Sequence, residues 1–176
     1  NDATLGVVSG ESELIDAIWA YSVVHGAAPS PYDAHNALRG IRTLPLRTKH
    51  QSATALTLAR QLESYPTISH VRYLGCESHP QHELAKTMLD QSCTILSFEL
   101  KDGLAAATKT MDALKLIRLA TSFGGPETLI CHPATSTHAG TDPTELAAAG
   151  VSPGLLRLSV GLEDPEDLWA DLSSTF

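Results

Sequence analysis

Arg157 is the residue whose chemistry is easiest to read from its surroundings. It lies in "LLRLSVGL" (155–162), the most regular alternation in the chain. Leu156, Leu158, Val160 and Leu162 fall on one face of such a strand, and Leu155, Arg157, Ser159 and Gly161 on the other. The apolar face must pack on a core. The small or polar neighbours Ser159 and Gly161 leave room in front of a guanidinium, the side chain suited to planar, bidentate carboxylate recognition. The competing reading is a surface arginine paired with one of the twenty acidic side chains. Such pairs are common and weak, so the strand pattern alone favours the plainer reading.

The stretch "TSFGGPETLICHPATSTHAG" (121–140) raises a similar question. Ser122 precedes the Gly124-Gly125 turn, where backbone and hydroxyl can approach a ligand closely. The same residues also make an ordinary loop, which is the commoner outcome. His35, His50 and His132 have no partner at a recognisable spacing and read as structural histidines. His79 and His82 form an HxxH pair, but a proline lies between them and no acidic or cysteine ligand stands at zinc spacing, so no metal is expected. Glu163 with Asp164 and Glu166 with Asp167 read as helix-start residues. No GxGxxG, GxSxG, Walker-A or HExxH pattern occurs.

Several elements must position these residues. "TLGVV" (4–8) is strand-like, and Leu14, Ile15, Ile18 and Trp19 mark one side of a helix. "HGAAPSP" (25–31) reads as a linker and a domain boundary, giving residues 1–28 as the tail of a preceding domain and 29–176 as a domain of their own. Pro31 suits a first helical turn, and Pro45 is expected to kink or interrupt that helix. A second helical stretch, about 46–64, carries Ala55, Leu58, Ala59 and Leu62 on one face. "ISHVRYL" (68–74) and "CTILSFEL" (93–100) read as strands, and "HPQHELAKTML" (79–89) as a short helix. Asp102 is placed to cap a helix with Leu104, Ala107, Met111 and Leu114 in its stripe. Asp164-Pro165 opens a terminal helix carrying Leu168, Trp169 and Leu172. Three or four strands without a strict βαβ alternation point to an α/β chain of α+β type. The expected fold is a mostly antiparallel open sheet with helices on one face.

Composition narrows the function classes. Net charge is −8, which disfavours nucleic acid and anionic membrane surfaces as partners. No window approaches the roughly 18 uninterrupted apolar residues of a membrane helix. Cys76, Cys93 and Cys131 are odd in number and lack CxxC spacing, which points to a reducing, cytoplasmic setting. The chain opens on "NDATLGVVSG" with neither an initiator methionine nor a signal-peptide profile, and is expected to be part of something larger.

Five stretches taken together resemble one family. "SPYDAHNALRGIRTLPLR" (30–47), "SHPQHELAK" (78–86), "LSFEL" (96–100), "SFGGPETLICHPATSTHAG" (122–140) and "LLRLSVGLEDPEDLWADL" (155–172) are similar to the pyridoxal-phosphate enzymes of Cys/Met metabolism. These are the cystathionine γ-synthase, cystathionine γ-lyase and methionine γ-lyase relatives. The resemblance implies the C-terminal small domain of a fold-type I pyridoxal-phosphate enzyme, preceded by the last strand and helix of its large domain. It implies that pyridoxal 5'-phosphate is held mainly by that large domain, with the Schiff-base lysine upstream of Asn1 and no catalytic residue within this chain. It also implies that Arg157 grips the substrate α-carboxylate, with Ser122 beside it and Thr137 positioning the guanidinium. Thr121 and Phe123 depart from the residues usual around that serine and bear on which reaction is performed. The double glycine leans towards cystathionine γ-synthase-like or γ-lyase-like chemistry, with methionine γ-lyase or homoserine-ester sulfhydrylase activity as the alternative. The implied partners are an amino-acid substrate, the chain's own large domain, and further copies in a dimer of dimers. A different class stays open: a non-catalytic binding or assembly module, if these residues work by themselves.

Overall fold

The computed structural model describes residues 2–176 and divides at Pro45 into two compact units. In the first, residues 2–11 carry no regular structure, so the strand expected at 4–8 is absent. Its valines, Val7 and Val8, are exposed, and no described strand of that unit pairs with them. Helix α1 (Ser12–His25) forms where expected and ends on Gly26 in the left-handed conformation. Ile15 and Ile18 are half-buried, whereas Leu14 and Trp19 are exposed.

Helix α2 (Pro31–Glu63) begins at the expected proline. Its start is a reciprocal cap: the Ser30 hydroxyl accepts from the Asp33 amide at 3.1 Å and donates to the Asp33 carboxylate at 2.6 Å. The carboxylate also accepts from the Thr4 amide at 2.9 Å. These two contacts, the hydroxyl first, hold the Asp33 carboxyl below its ordinary pKa. Of the kink or interruption expected at Pro45, the interruption does not occur, and one helix runs through it. Proline removes one ladder hydrogen bond, and the helical stretches on both sides are long enough to keep their own. The boundary between compact units therefore falls inside α2 at Pro45, while the 25–31 linker separates α1 from α2.

The second unit is built on five strands: β1 (Ile68–Arg72), β2 (Ile95–Leu100), β3 (Arg118–Leu119), β4 (Leu129–Cys131) and β5 (Leu155–Ser159). Their order across the sheet is β1-β2-β5-β4-β3. All neighbours are antiparallel except the short β3–β4 pair, so the sheet is mostly antiparallel as expected, with one parallel edge. The two shortest strands, β3 and β4, are those the alternation left unread.

Cross-strand register explains the burial. Phe98 opposes Leu156 and Leu96 opposes Leu158, while Ile130 meets Leu158 from the other side. These side chains form one face with Leu100 and Val160, all buried. Helix α2 covers it with Ala55, Leu58, Ala59 and Leu62, spaced to share one helical stripe. Ala107 of α4 (Gly103–Ala113) and Leu168 and Leu172 of α6 (Pro165–Ser173) join the same core. Each fully buried leucine or phenylalanine there contributes about 1.5–3 kcal/mol. Helix α3 (His82–Met88) and the short α5 (Pro143–Ala148) complete the unit. The α6 start is capped as expected, Asp164 accepting from the Glu166 amide at 2.8 Å.

Both ends of β5 are crowded. A Cβ on Gly154 would lie 2.4 Å from the Leu100 carbonyl oxygen, and one on Gly161 would lie 2.3 Å from that of Pro126. Only a residue without a side chain fits at either point.

Candidate functional site

The apolar face of β5 is pinned in the core, so Arg157 must project from the opposite face, in register with Ser97 of β2 and Cys131 of β4. It is half-buried. Its Nη2 donates to the carbonyls of Thr121 and of Ser122, the latter at 3.2 Å. The Phe123 ring lies with its centroid 5.7 Å from Cζ, within cation–π range. Among the described residues no acidic side chain pairs with this guanidinium. Its Nε is buried with no hydrogen-bond partner. The plainer sequence reading, a surface ion pair, is therefore not what the structure holds.

An unpartnered buried donor costs about 1–3 kcal/mol, and more when it is charged. Nε is closed off, but among the described residues Nη1 makes no hydrogen bond, and a carboxylate placed there would neutralise the charge. The two carbonyls meanwhile fix the plane of the guanidinium. The arrangement is a preoriented cation with donor capacity left for an external pair of oxygens.

The loop supplying those carbonyls is itself held. Gly124 takes a left-handed φ of 75°. Its amide donates to the Ser159 hydroxyl at 3.1 Å. Buried Gln51 of α2 donates from Nε2 to the carbonyls of Gly125 and Val160, both at 2.8 Å. The Leu162 amide donates to the Pro126 carbonyl at 2.7 Å. Glu163 accepts from the Thr128 amide at 2.8 Å and from its hydroxyl at 2.6 Å. Ser159 and Gly161, read from sequence as leaving room before the guanidinium, thus give that room to the 124–127 segment.

The structure brings Thr121, Ser122 and Phe123 together with Arg157. Thr121 and Phe123 are exposed and Ser122 is half-buried. Thr137 is not among the partners of Arg157: it is exposed, with Oγ1 2.9 Å from Nδ1 of His138. His132 is the buried structural histidine expected, its ring nitrogens 2.8 Å from the Thr135 hydroxyl and 2.9 Å from the Pro153 carbonyl. His35 and His50 are exposed. His82 meets the Leu74 carbonyl at 2.8 Å, and the described residues contain no cluster fit to hold a metal ion. The three cysteines are unpaired. No described helix is long and apolar enough to cross a membrane.

Gln51 is the positioning residue that sequence reasoning missed. The signal was present, since Gln51 continues the stripe of Ala55, Leu58 and Leu62 and is a polar residue at a core position.

Comparison with known proteins gives a consistent result. Residues 1–176 match the sequence model of the Cys/Met metabolism PLP-dependent enzymes. An O-succinylhomoserine sulfhydrylase of Pseudomonas aeruginosa is 40% identical over 168 residues, covering 96% of this chain and 42% of the relative. An L-methionine gamma-lyase of Pseudomonas putida is 43% identical over 173 residues, covering 97% and 44% respectively. The crystal structure of cystathionine gamma synthase from Xanthomonas oryzae pv. oryzae, in complex with aminoacrylate and cysteine, superposes with a TM-score of 0.89 at 39% identity. That match covers 96% of this chain and 43% of the other. The chain therefore spans less than half the length of the curated relatives it matches. The expected fold, the C-terminal part of a fold-type I enzyme, agrees with these neighbours.

Proposed function

Since the chain belongs to the Cys/Met metabolism PLP-dependent enzyme family, we propose that it supplies the substrate α-carboxylate site of such an enzyme. The reaction would be γ-replacement or γ-elimination on a sulfur amino acid or a homoserine ester. The observation that carries this reading is the Arg157 guanidinium: oriented by two backbone carbonyls, without an acidic partner, and with Nε buried and unpaired.

This donor set suits a carboxylate. The Schiff-base lysine and the groups that hold the cofactor belong, in this proposal, to the rest of the protein. Bound pyridoxal phosphate supplies an electron sink for a bond to Cα. Arg157 fixes one substituent of Cα and so decides which bond is presented for reaction, an orientation effect. Phe123 flanks the guanidinium with its ring in cation–π range, which helps hold the plane of the cation. Thr121 and Phe123 are the exposed positions at this corner and are assigned to discrimination among substrates. The whole protein is assigned a dimer-of-dimers assembly, which light scattering tests directly.

The test is Arg157→Ala in the full-length protein. The expected result is a KM raised about 100-fold with cofactor absorbance unchanged, and only partial recovery in Arg157→Lys. An unchanged KM would refute the carboxylate role. The 176-residue chain with added pyridoxal phosphate is expected to show neither a lysine-bound cofactor band nor elimination activity. A band accompanied by turnover would overturn the placement of the lysine outside it.

A further inference from the structure

A second arginine shares the sheet face of Arg157. Arg72 of β1 opposes Ser97, and Ser97 opposes Arg157 across β5, so the three stand in one row. Two strand spacings separate the arginines, about 9–10 Å between Cα atoms. Arg72 also lacks an acidic partner among the described residues, in a chain where acids outnumber bases twenty to twelve. Its Nη1 donates to the Gly150 carbonyl at 2.7 Å, which aims the guanidinium and leaves its other donors free.

Arg72 lines a pocket of about 400 Å³. Ser152 lines it too, and its hydroxyl is buried with no hydrogen-bond partner. Buried hydroxyls are rarely left in that state, since the lost solvation is not recovered. Apart from His132 and Thr135 the rest of the wall is mainly apolar, and Leu104, Leu146 and Val151 are among its aliphatic side chains. Arg157, Thr121 and Phe123 take no part in it. The combination is a cation, an unsatisfied hydroxyl and an aliphatic chamber of ligand size.

We propose that this pocket is a second binding site, for a small aliphatic monocarboxylate. The carboxylate would lie on Arg72 and the Ser152 hydroxyl, and the alkyl chain against Leu104, Leu146 and Val151. Gly150 belongs to the design, because a Cβ there would stand 3.2 Å from Nη1 of Arg72 and press on the guanidinium.

Hexanoate is the probe, titrated into the 15N-labelled full-length protein and followed by amide chemical shifts. Saturable shifts at Leu146, Gly150, Val151 and Ser152 are expected, retained in Arg157→Ala. Arg72→Gln is expected to weaken binding about ten-fold or more, and 1-hexanol to bind correspondingly worse than hexanoate. Should Arg72→Gln fail to fold, Ser152→Ala serves, since it removes an orphaned hydroxyl; a loss of about three- to five-fold is expected. Shifts confined to 121–125, equal binding of hexanol and hexanoate, or an unchanged affinity in Arg72→Gln or Ser152→Ala would each overturn the site.

Discussion

The Ser159 hydroxyl accepts a hydrogen bond from the Gly124 amide at 3.1 Å, tying the strand that carries Arg157 to the loop that orients it. Ser159 is buried and stands two residues from Arg157 on the same face of β5. Ser159→Ala should therefore act on substrate binding without touching substrate. We expect a stability loss of about 1 kcal/mol, faster hydrogen exchange at Gly124, and a several-fold rise in KM with kcat little changed. Unaltered exchange at Gly124 would show that the loop is held by its other ties alone.

Gly161→Ala tests the docking of the same loop from its far side. The new methyl group would meet the Pro126 carbonyl oxygen and the Glu127 carbonyl carbon at 2.3 and 2.5 Å, both backbone atoms. Neither can swing aside as a side chain can. A destabilisation of about 3 kcal/mol or more is expected from urea unfolding, well above the usual cost of a surface substitution. A midpoint equal to that of the parent would mean the segment moves freely.

Asp171 of α6 accepts from the amides of Lys115, Leu116 and Ile117, each at 2.9 Å. It closes the turn between α4 and β3 with one carboxylate. Asp171→Ala should cost about 2–4 kcal/mol, with Asp171→Asn recovering part of it because the amide keeps one acceptor oxygen. Thermal or urea unfolding of the three proteins gives the comparison.

Alkaline pH should weaken the second unit. Burial pushes the Cys76 thiol from 9.0 up to about 11, with the nearby Glu63 carboxylate adding to the shift. Burial also raises the pKa of Tyr73, whose single hydroxyl proton is shared between the carbonyls of Ser52 at 3.0 Å and Cys93 at 2.9 Å. Above the ordinary thiol pKa the unfolded chain releases a proton that the folded chain retains. The Cys76 contribution is thus fully present below pH 9 and lost as pH rises through about 11. Urea midpoints at pH 7 and pH 9 should lie close together and the midpoint at pH 11 should be lower, with a smaller drop in Cys76→Ala.

The apolar half of the fold was legible because it is periodic. Leu58 and Leu62 recur at helical spacing and Leu96 and Phe98 at strand spacing, and these are the residues that meet in the core. The strand at 129–131 was not legible, since Leu129, Ile130 and Cys131 are all buried and a run buried on both faces does not alternate. Of the two outcomes expected at Pro45, the interruption does not occur, because the helix on either side outweighs one lost bond. At the site, the alternation around Arg157 located the arginine, whereas its two partners are main-chain carbonyls, which side-chain identity does not encode. Ser159 and Gly161 were noticed for their small size, but the neighbour that requires it, residues 124–127, is about 35 positions away and becomes visible only in three dimensions.

The paired glycine contacts at the two ends of β5 act as mechanical stops. A shift of the strand by one residue in either direction would drive a side chain into the Leu100 or the Pro126 carbonyl, so the pairing has a single permitted setting. The address of Arg157 within the protein is therefore not adjustable. A lineage adapting this scaffold to a longer or shorter substrate cannot slide the cation to follow it. Variation must instead come from exposed positions such as Thr121 and Phe123, which are free to change while the strand stays indexed in place.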